Sequence, residues 1–482
     1  MAIDPALRRL ALRTLLAAFP GSTPPPWALD LAAEGLAGYT LFGFNIVDRA
    51  QVAASTAALR AASPRVIVAI DEEGGDVTRL AHRTGSPYPG NAALGALDDI
   101  EVTRAVYRAI GGELAAVGVN VDLAPTVDVN TADDNPIIGT RSFGADPARV
   151  AAHTRAAVEG LQETRVAACA KHFPGHGATI ADSHLELPTV DAPLSVLRER
   201  DLPPFAAAVA AGAQAVMTAH IRVPELTGDL PATFSRAALH DLLRGELGFA
   251  GALITDALEM KGAAVVAGGT AQAAPLALAA GADLLCIGAD VDADLVEETA
   301  AEIVAAIQEG RLSLARVEEA AERTAALAAW TAPDAPTEPA PESLGYDAAR
   351  RAVRVEGDPV VGGVPFVIEL ATTSSIAEGR VPWGLAEHVD GAETIRAVAA
   401  TTSADELLAR AGGRPIVVVA RHAHRLANAT ELIEALAARH QVTVVEMGWP
   451  SRWRPAGVRA FVTTYGASHA NGRAAAVVLG LH

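Results

Sequence analysis

Residues 65–71 read RVIVAID. Five apolar residues, four of them β-branched, follow one another and end on an aspartate. A strand with one wet face alternates apolar and polar side chains. A continuous apolar run instead fits a strand covered on both faces, the condition of a parallel sheet. Related runs recur at YTLFGFN (39–45), VNVDLAPTVDV (119–129), VAACAKH (166–172), AQAVMTAHI (213–221), GALITDA (251–257) and ADLLCIG (282–288), with a degenerate one at LLAAF (15–19). Between them lie helical patterns such as DIEVTRAVYRAIGGELAAVG (99–118) and PARVAAHTRAAVEGLQE (147–163). This β-then-α rhythm predicts an α/β fold, a TIM-type (β/α)8 barrel over residues 1–330.

Several of the runs end in a polar residue: Asp71, Asp128, His172, His220 and Asp256. In such a barrel the active site is built where the strands end at their C-terminal side. One polar residue there only marks where a strand leaves the core. Five in register predict one shared mouth.

The pattern stops near residue 330. Residues 331–345, TAPDAPTEPAPESLG, carry four prolines and read as an extended, semi-rigid linker. Strand-like runs return at VPFVIEL (364–370), RPIVVVA (414–420), QVTVVEM (441–447) and RAFVTTYG (459–466), separated by helical stretches such as NATELIEALAARH (428–440). Residues 346–482 are therefore expected to form a smaller α/β sandwich domain with a mainly parallel sheet.

Composition narrows the function. Half of the 482 residues are apolar and only 20% are charged, so a large core is available. The formal net charge of −19 would repel a polyanion, so nucleic acid is not an expected partner. Cys169 and Cys286 lie apart in apolar surroundings and read as buried small residues rather than a disulfide. The N-terminal stretch lacks the features of a signal peptide, and no apolar run has the length of a membrane span. A soluble, cytoplasmic protein without membrane association is expected. The oligomeric state is open, with a monomer favoured.

The densest cluster of titratable groups is KHFPGHGATIADSH (171–184). His172 and His176 have the spacing of two metal ligands on one helix, but Pro174, Gly175 and Gly177 oppose a helix there. No metal and no cofactor is expected. Asp182 and His184 are two apart, so a tight turn lets the carboxylate orient the imidazole and raise its basicity. Such a histidine can give and recover a proton near neutral pH. No GxSxG elbow supplies a serine nucleophile. Asp256 would reach the same mouth from another strand. An aspartate nucleophile opposite a proton donor is the arrangement of retaining glycoside hydrolysis.

The motifs together resemble glycoside hydrolase family 3, in its bacterial exo-β-N-acetylglucosaminidase branch with two domains. The resemblance rests on DEEGGDVTRL (71–80), VNVDLAPTVDVN (119–130), GTRSFGADP (139–147), KHFPGHGATIADSHLELP (171–188), VMTAHI (216–221), LRGELGFAGALITDALEM (243–260) and AGADLLCIG (280–288). The tail VTTYGASHANGRAAAVVLG (462–480) resembles the second domain of such members. The resemblance implies that Asp256 is the nucleophile, that His184 is the acid/base with Asp182 as its partner, and that Asp71, Arg79, Arg141, Lys171 and His172 bind the sugar. It implies a small carbohydrate substrate and release of terminal N-acetylglucosamine from muropeptide or chitin fragments, as in cell wall recycling. Two alternatives stand beside it: a phosphorylase passing the sugar to inorganic phosphate with the same residues, and a non-catalytic glycan-binding relative. Two positions depart from the family pattern, Ala178 after GHG, where an aspartate is usual, and Asp76 after EGG, where an arginine is common.

Overall fold

The computed structural model describes residues 4–331 and 340–481. Two compact units form. The first comprises Met1–Glu72, Thr103–Ile137 and Ala145–Ala340; the second comprises Glu73–Val102, Ile138–Gly144 and Pro341–His482.

The first unit holds eight parallel strands: β1 (Leu15–Ala17), β2 (Gly38–Leu41), β3 (Ile67–Ile70), β4 (Val121–Asp122), β5 (Ala167–Phe173), β6 (Ala215–Thr218), β7 (Ala252–Thr255) and β8 (Leu285–Cys286). From β1 to β7 each strand pairs with the next in sequence, and β1 also pairs with β8. A parallel bridge between Ile254 and Leu284 brings β7 beside β8, so the barrel is nearly closed. The degenerate LLAAF run is its first strand.

Alternate side chains from seven strands meet in a single cluster, including Leu16, Ile67, Ala69, Val121, Cys169, Met217, Ile254 and Cys286. Side chains from β1 and β6 can meet only inside a closed cylinder, so this is the barrel interior. Both cysteines are free thiols within it. The intervening side chains, such as Val68, Ile70, Ala168 and Leu253, are also fully buried, as a strand covered by an outer layer of helices requires.

Strand β4 is much shorter than its eleven-residue run. Past Asp122 the ladder lapses, and only a bridge from Thr126 to Lys171 continues it. Pro125 lacks the N–H that a ladder needs at that point. Helices fall where periodicity puts them, at Ile100–Ala116 and Pro147–Gln162. The second is capped by Asp146, whose Oδ1 accepts the Arg149 N–H at 2.9 Å, with Pro147 at its first position.

The second unit contains a six-stranded sheet: β9 (Arg354–Gly357), β10 (Phe366–Leu370), β11 (Glu393–Ala397), β12 (Ile416–Ala420), β13 (Val442–Glu446) and β14 (Ala460–Thr463), in the order β11-β10-β12-β13-β14-β9. All neighbours are parallel except β9, which runs antiparallel to β14. Phe366, Ile368, Val418 and Val444 point into one apolar cluster, and Val367, Val417, Val419 and Val445 into another on the opposite face. The sheet is thus the centre of an α/β sandwich. Most of the expected linker, 332–339, lies outside the described residues. The sequence sets one boundary near residue 330, whereas the segments Glu73–Val102 and Ile138–Gly144 pack with the C-terminal residues.

Candidate active site

Strand β7 delivers Asp256 to the C-terminal end of the barrel. Its Oδ1 accepts the Ala257 N–H at 2.8 Å, and Oδ2 has no protein hydrogen-bond partner among the described residues. Burial alone would raise this carboxyl, but the imidazoles of His220, His172 and His184 and the Ala257 N–H outweigh it. The net effect holds Asp256 below the ordinary carboxylate range. An ionised oxygen with no partner is the state a nucleophile needs.

The loop after β5 carries Asp182 and His184. Asp182 Oδ1 accepts both the His184 backbone N–H, at 2.9 Å, and the His184 Nδ1–H, at 2.7 Å. Burial would raise the Asp182 carboxyl, but its hydrogen bonds to His184 bring it below its ordinary value. Since the carboxylate accepts at Nδ1, the neutral ring presents a bare Nε2, which meets no protein partner among the described residues.

This loop is tied to the chain just beyond Asp256. The Gly262 N–H donates to Ser183 O at 3.2 Å. A Cβ at residue 262 would stand 3.0 Å from His220 Cβ and 3.1 Å from Ser183 O, so only glycine lets the loop settle without displacement. Gly177 serves the same end: a Cβ there would lie 2.0 Å from Val129 O.

Strand β5 itself ends on two further groups. Lys171 Nζ lies 2.7 Å from Asp71 Oδ1, and the lysine is almost fully buried while the carboxylate is partly open. His172 Nδ1 pairs with Asp128 Oδ2 at 2.7 Å. Burial lifts the Cys286 thiol to about 12, and the next contributions come from Asp256 and Asp71. Those carboxylates, from β7 and β3, therefore converge on one end of the barrel, where His172 and His184 also act on Asp256.

Arg79 and Arg141 belong to the second unit. Arg141 is gripped in a bidentate pair with Glu73, at 3.0 and 2.7 Å, both residues buried. Arg79 donates to the carbonyls of Ala377 at 2.8 Å and Glu378 at 3.4 Å. Several of the N–H groups expected to serve sugar hydroxyls thus bind the protein itself. Asp76, the departure after EGG, is a buried node of the same unit. It accepts from Thr140 Oγ1 at 2.6 Å, Arg421 Nη2 at 3.2 Å and the Ala467 N–H at 2.7 Å. The other departure, Ala178, is half-buried in the loop between His176 and the dyad.

Residues 27–327 match the glycosyl hydrolase family 3 N-terminal domain. The chain belongs to glycosyl hydrolase family 3. The match covers barrel strands β2 to β8 and every residue of the proposed chemistry. This family 3 hydrolase is 39% identical over 263 residues to a beta-hexosaminidase of Xanthomonas euvesicatoria pv. vesicatoria (strain 85-10), spanning 53% of this chain and 78% of the relative. It is 38% identical over 264 residues to beta-hexosaminidase A of Pseudoalteromonas piscicida, spanning 50% of this chain but only 44% of that longer protein. In structure it is similar to a glycoside hydrolase family 3 beta-N-acetylglucosaminidase from Paenibacillus sp. str. FPU-7, with a TM-score of 0.87 and 30% identity over 100% of this chain and 97% of the other. That likeness spans both sheets of the family 3 hydrolase.

Four groups of the site carry more than their sequence signal. Asp128 accepts the His172 ring proton and, at 2.6 Å, the His176 N–H. His176 sits beneath the dyad, and Ser183 hydrogen-bonds to it. His220 Nε2–H donates to Ala257 O at 3.0 Å, next to Asp256. Asp128 and His220 stand out in sequence as strand ends. The roles of His176 and Ser183 depend on a loop path that no periodicity describes.

Proposed function

We propose that this enzyme is a retaining exo-β-N-acetylglucosaminidase. The observation that carries the reading is the pairing of two free reactive atoms, Asp256 Oδ2 and His184 Nε2, whose residues interact electrostatically at one barrel end. Asp256 attacks the anomeric carbon and His184 protonates the leaving oxygen. The same Nε2 then takes a proton from the incoming acceptor. Lys171, Asp71 and His172 hold the sugar hydroxyls. The names of the relatives, beta-hexosaminidase and beta-N-acetylglucosaminidase, support N-acetylglucosamine as the sugar. Small cytoplasmic glycans, muropeptide or chitin fragments, are the proposed substrates, with no nucleic-acid or membrane partner.

An aryl β-N-acetylglucosaminide assay, run with and without inorganic phosphate, tests this. Free N-acetylglucosamine is expected. Its 1-phosphate would instead favour the phosphorylase, a reading supported by the acid/base being an imidazole, since a second carboxylate would repel phosphate. Sugar binding without turnover of any aryl glycoside would leave a glycan-binding relative. Replacing His184 should depress turnover most for poor leaving groups, and an equal loss across leaving groups would count against its role.

A further inference from the structure

His176 is buried, and both its ring nitrogens are occupied. Nδ1 lies 2.7 Å from Thr179 Oγ1 and Nε2 lies 3.1 Å from Ser183 Oγ. One arrangement gives the Thr179 hydroxyl, the ring N–H and the Ser183 hydroxyl an acceptor each. Thr179 has one hydroxyl proton, and it goes to His176 O at 3.0 Å. Thr179 Oγ1 therefore accepts from the ring, and Nδ1 carries the proton. Burial holds this imidazole neutral, far below its ordinary value at about 4, against the pull of Asp128. Besides Asp128, charged or titratable groups facing it include His172, whose ring centroid is 6.1 Å away, Asp256, and Asp182 of the dyad itself. A neutral ring with its proton on Nδ1 has a bare Nε2, which accepts the Ser183 hydroxyl proton.

Ser183 stands between the two members of the dyad. Its side chain is anchored inward on His176 and its carbonyl outward on the Gly262 N–H, so both sides of the loop are held. His176 is in turn fixed by Asp128 through its backbone N–H at 2.6 Å and by Asn135, whose Nδ2 donates to His176 O at 2.9 Å. We propose that His176, protonated on Nδ1, is a positioning residue that sets the Asp182–His184 dyad by accepting the Ser183 hydroxyl proton on Nε2. The inference rests on the reading of His184 as acid/base. It assigns a purpose to the middle residue of the Asp-Ser-His element and to the second histidine of KHFPGHG.

Two measurements test it. The first is nitrogen-15 NMR of histidine-labelled enzyme, with His176 assigned by difference and Ser183→Ala as the perturbation. The Nδ1–H tautomer is expected, unchanged between about pH 5.5 and 8, with the Nε2 resonance moved by Ser183→Ala. An Nε2–H tautomer, or titration within that range, overturns the proposal. This readout is independent of turnover, so a wild-type enzyme inactive on all aryl glycosides would sink the functional reading without deciding this one. The second is leaving-group dependence. Ser183→Ala and His176→Asn should lower kcat/KM about tenfold or more on the phenyl glycoside, which needs protonation. They should lower it only about threefold or less on the dinitrophenyl glycoside, which does not. His176→Gln, which can present an acceptor near the Nε2 position, should recover part of the loss. Equal losses on both glycosides, or no recovery by glutamine, would reduce His176 to a packing residue.

Discussion

At the scale of single residues the chemistry depends on which groups are ionised and which are bare. Asp256 and Asp182 are both held below the ordinary carboxylate range, so both are charged throughout the neutral region. With a dinitrophenyl glycoside, which needs no acid, kcat/KM should be level from about pH 5 to 8 and fall only as pH drops toward the depressed folded value of Asp256. A falling limb with its midpoint above pH 5 would show that the nucleophile is not held in this way. For Asp182 the linkage has the same sign. Its folded value is depressed, so its contribution to stability is present above the unfolded value near 3.9 and is lost as pH falls through the folded one. The Asp182–His184 contact and the place of Asp256 after β7 are legible in sequence because two-residue spacing and a strand-end aspartate are local signals. Asp76 is not legible. Its partners Arg421 and Ala467 lie 345 and 391 positions away, so no local reading joins them.

At the scale of elements, continuous apolar runs identify buried strands well, and edge strands poorly. Strands β10, β12, β13 and β14 are announced by VPFVIEL, RPIVVVA, QVTVVEM and RAFVTTYG. Strand β9 (RVEG) is exposed along its whole length and β11 (ETIRA) is mostly half-exposed, so neither forms an apolar run. The barrel has a polar anchor of its own. Asp283, fully buried just before β8, accepts the Leu253 N–H at 2.9 Å and binds Arg244 at 2.5 Å, with Arg316 against its other oxygen. Asp283→Ala takes the carboxylate partner from Arg244 and leaves Arg316 only Glu319, and should cost about 3–5 kcal/mol in denaturant unfolding. A loss under about 1 kcal/mol would show that water replaces the carboxylate at no great cost. In the second unit, Asp76→Arg restores the arginine common after EGG but sets it against buried Arg421. It should destabilise more than Asp76→Ala, by about 2 kcal/mol or more. A stable Asp76→Arg protein would refute the view of Asp76 as a charge partner.

At the scale of the whole molecule, two sheets and their order are legible from the alternation of strand and helix runs, while the membership of the units is not. The segments Glu73–Val102 and Ile138–Gly144 belong by sequence to the barrel region and by packing to the second unit. Cutting within residues 331–345 therefore separates the C-terminal sheet from Asp76, from the helix Asn91–Leu97 and from Arg141. A fragment beginning at residue 341 should unfold at markedly lower denaturant than the same sheet in the intact chain, as followed by its tryptophans. Two fragments that unfold with the stability of the parent would contradict this assignment. The central claim is that a carboxylate on β7 bonds covalently to the sugar while an imidazole on the loop after β5 manages the proton. It is tested most directly by trapping the intermediate with a fluorinated, slowly turned-over N-acetylglucosaminide and locating the label by peptide mass spectrometry. The label is predicted on Asp256 and absent in Asp256→Asn. A label on any other residue, or Asp256→Asn turning over at the wild-type rate, would contradict the account.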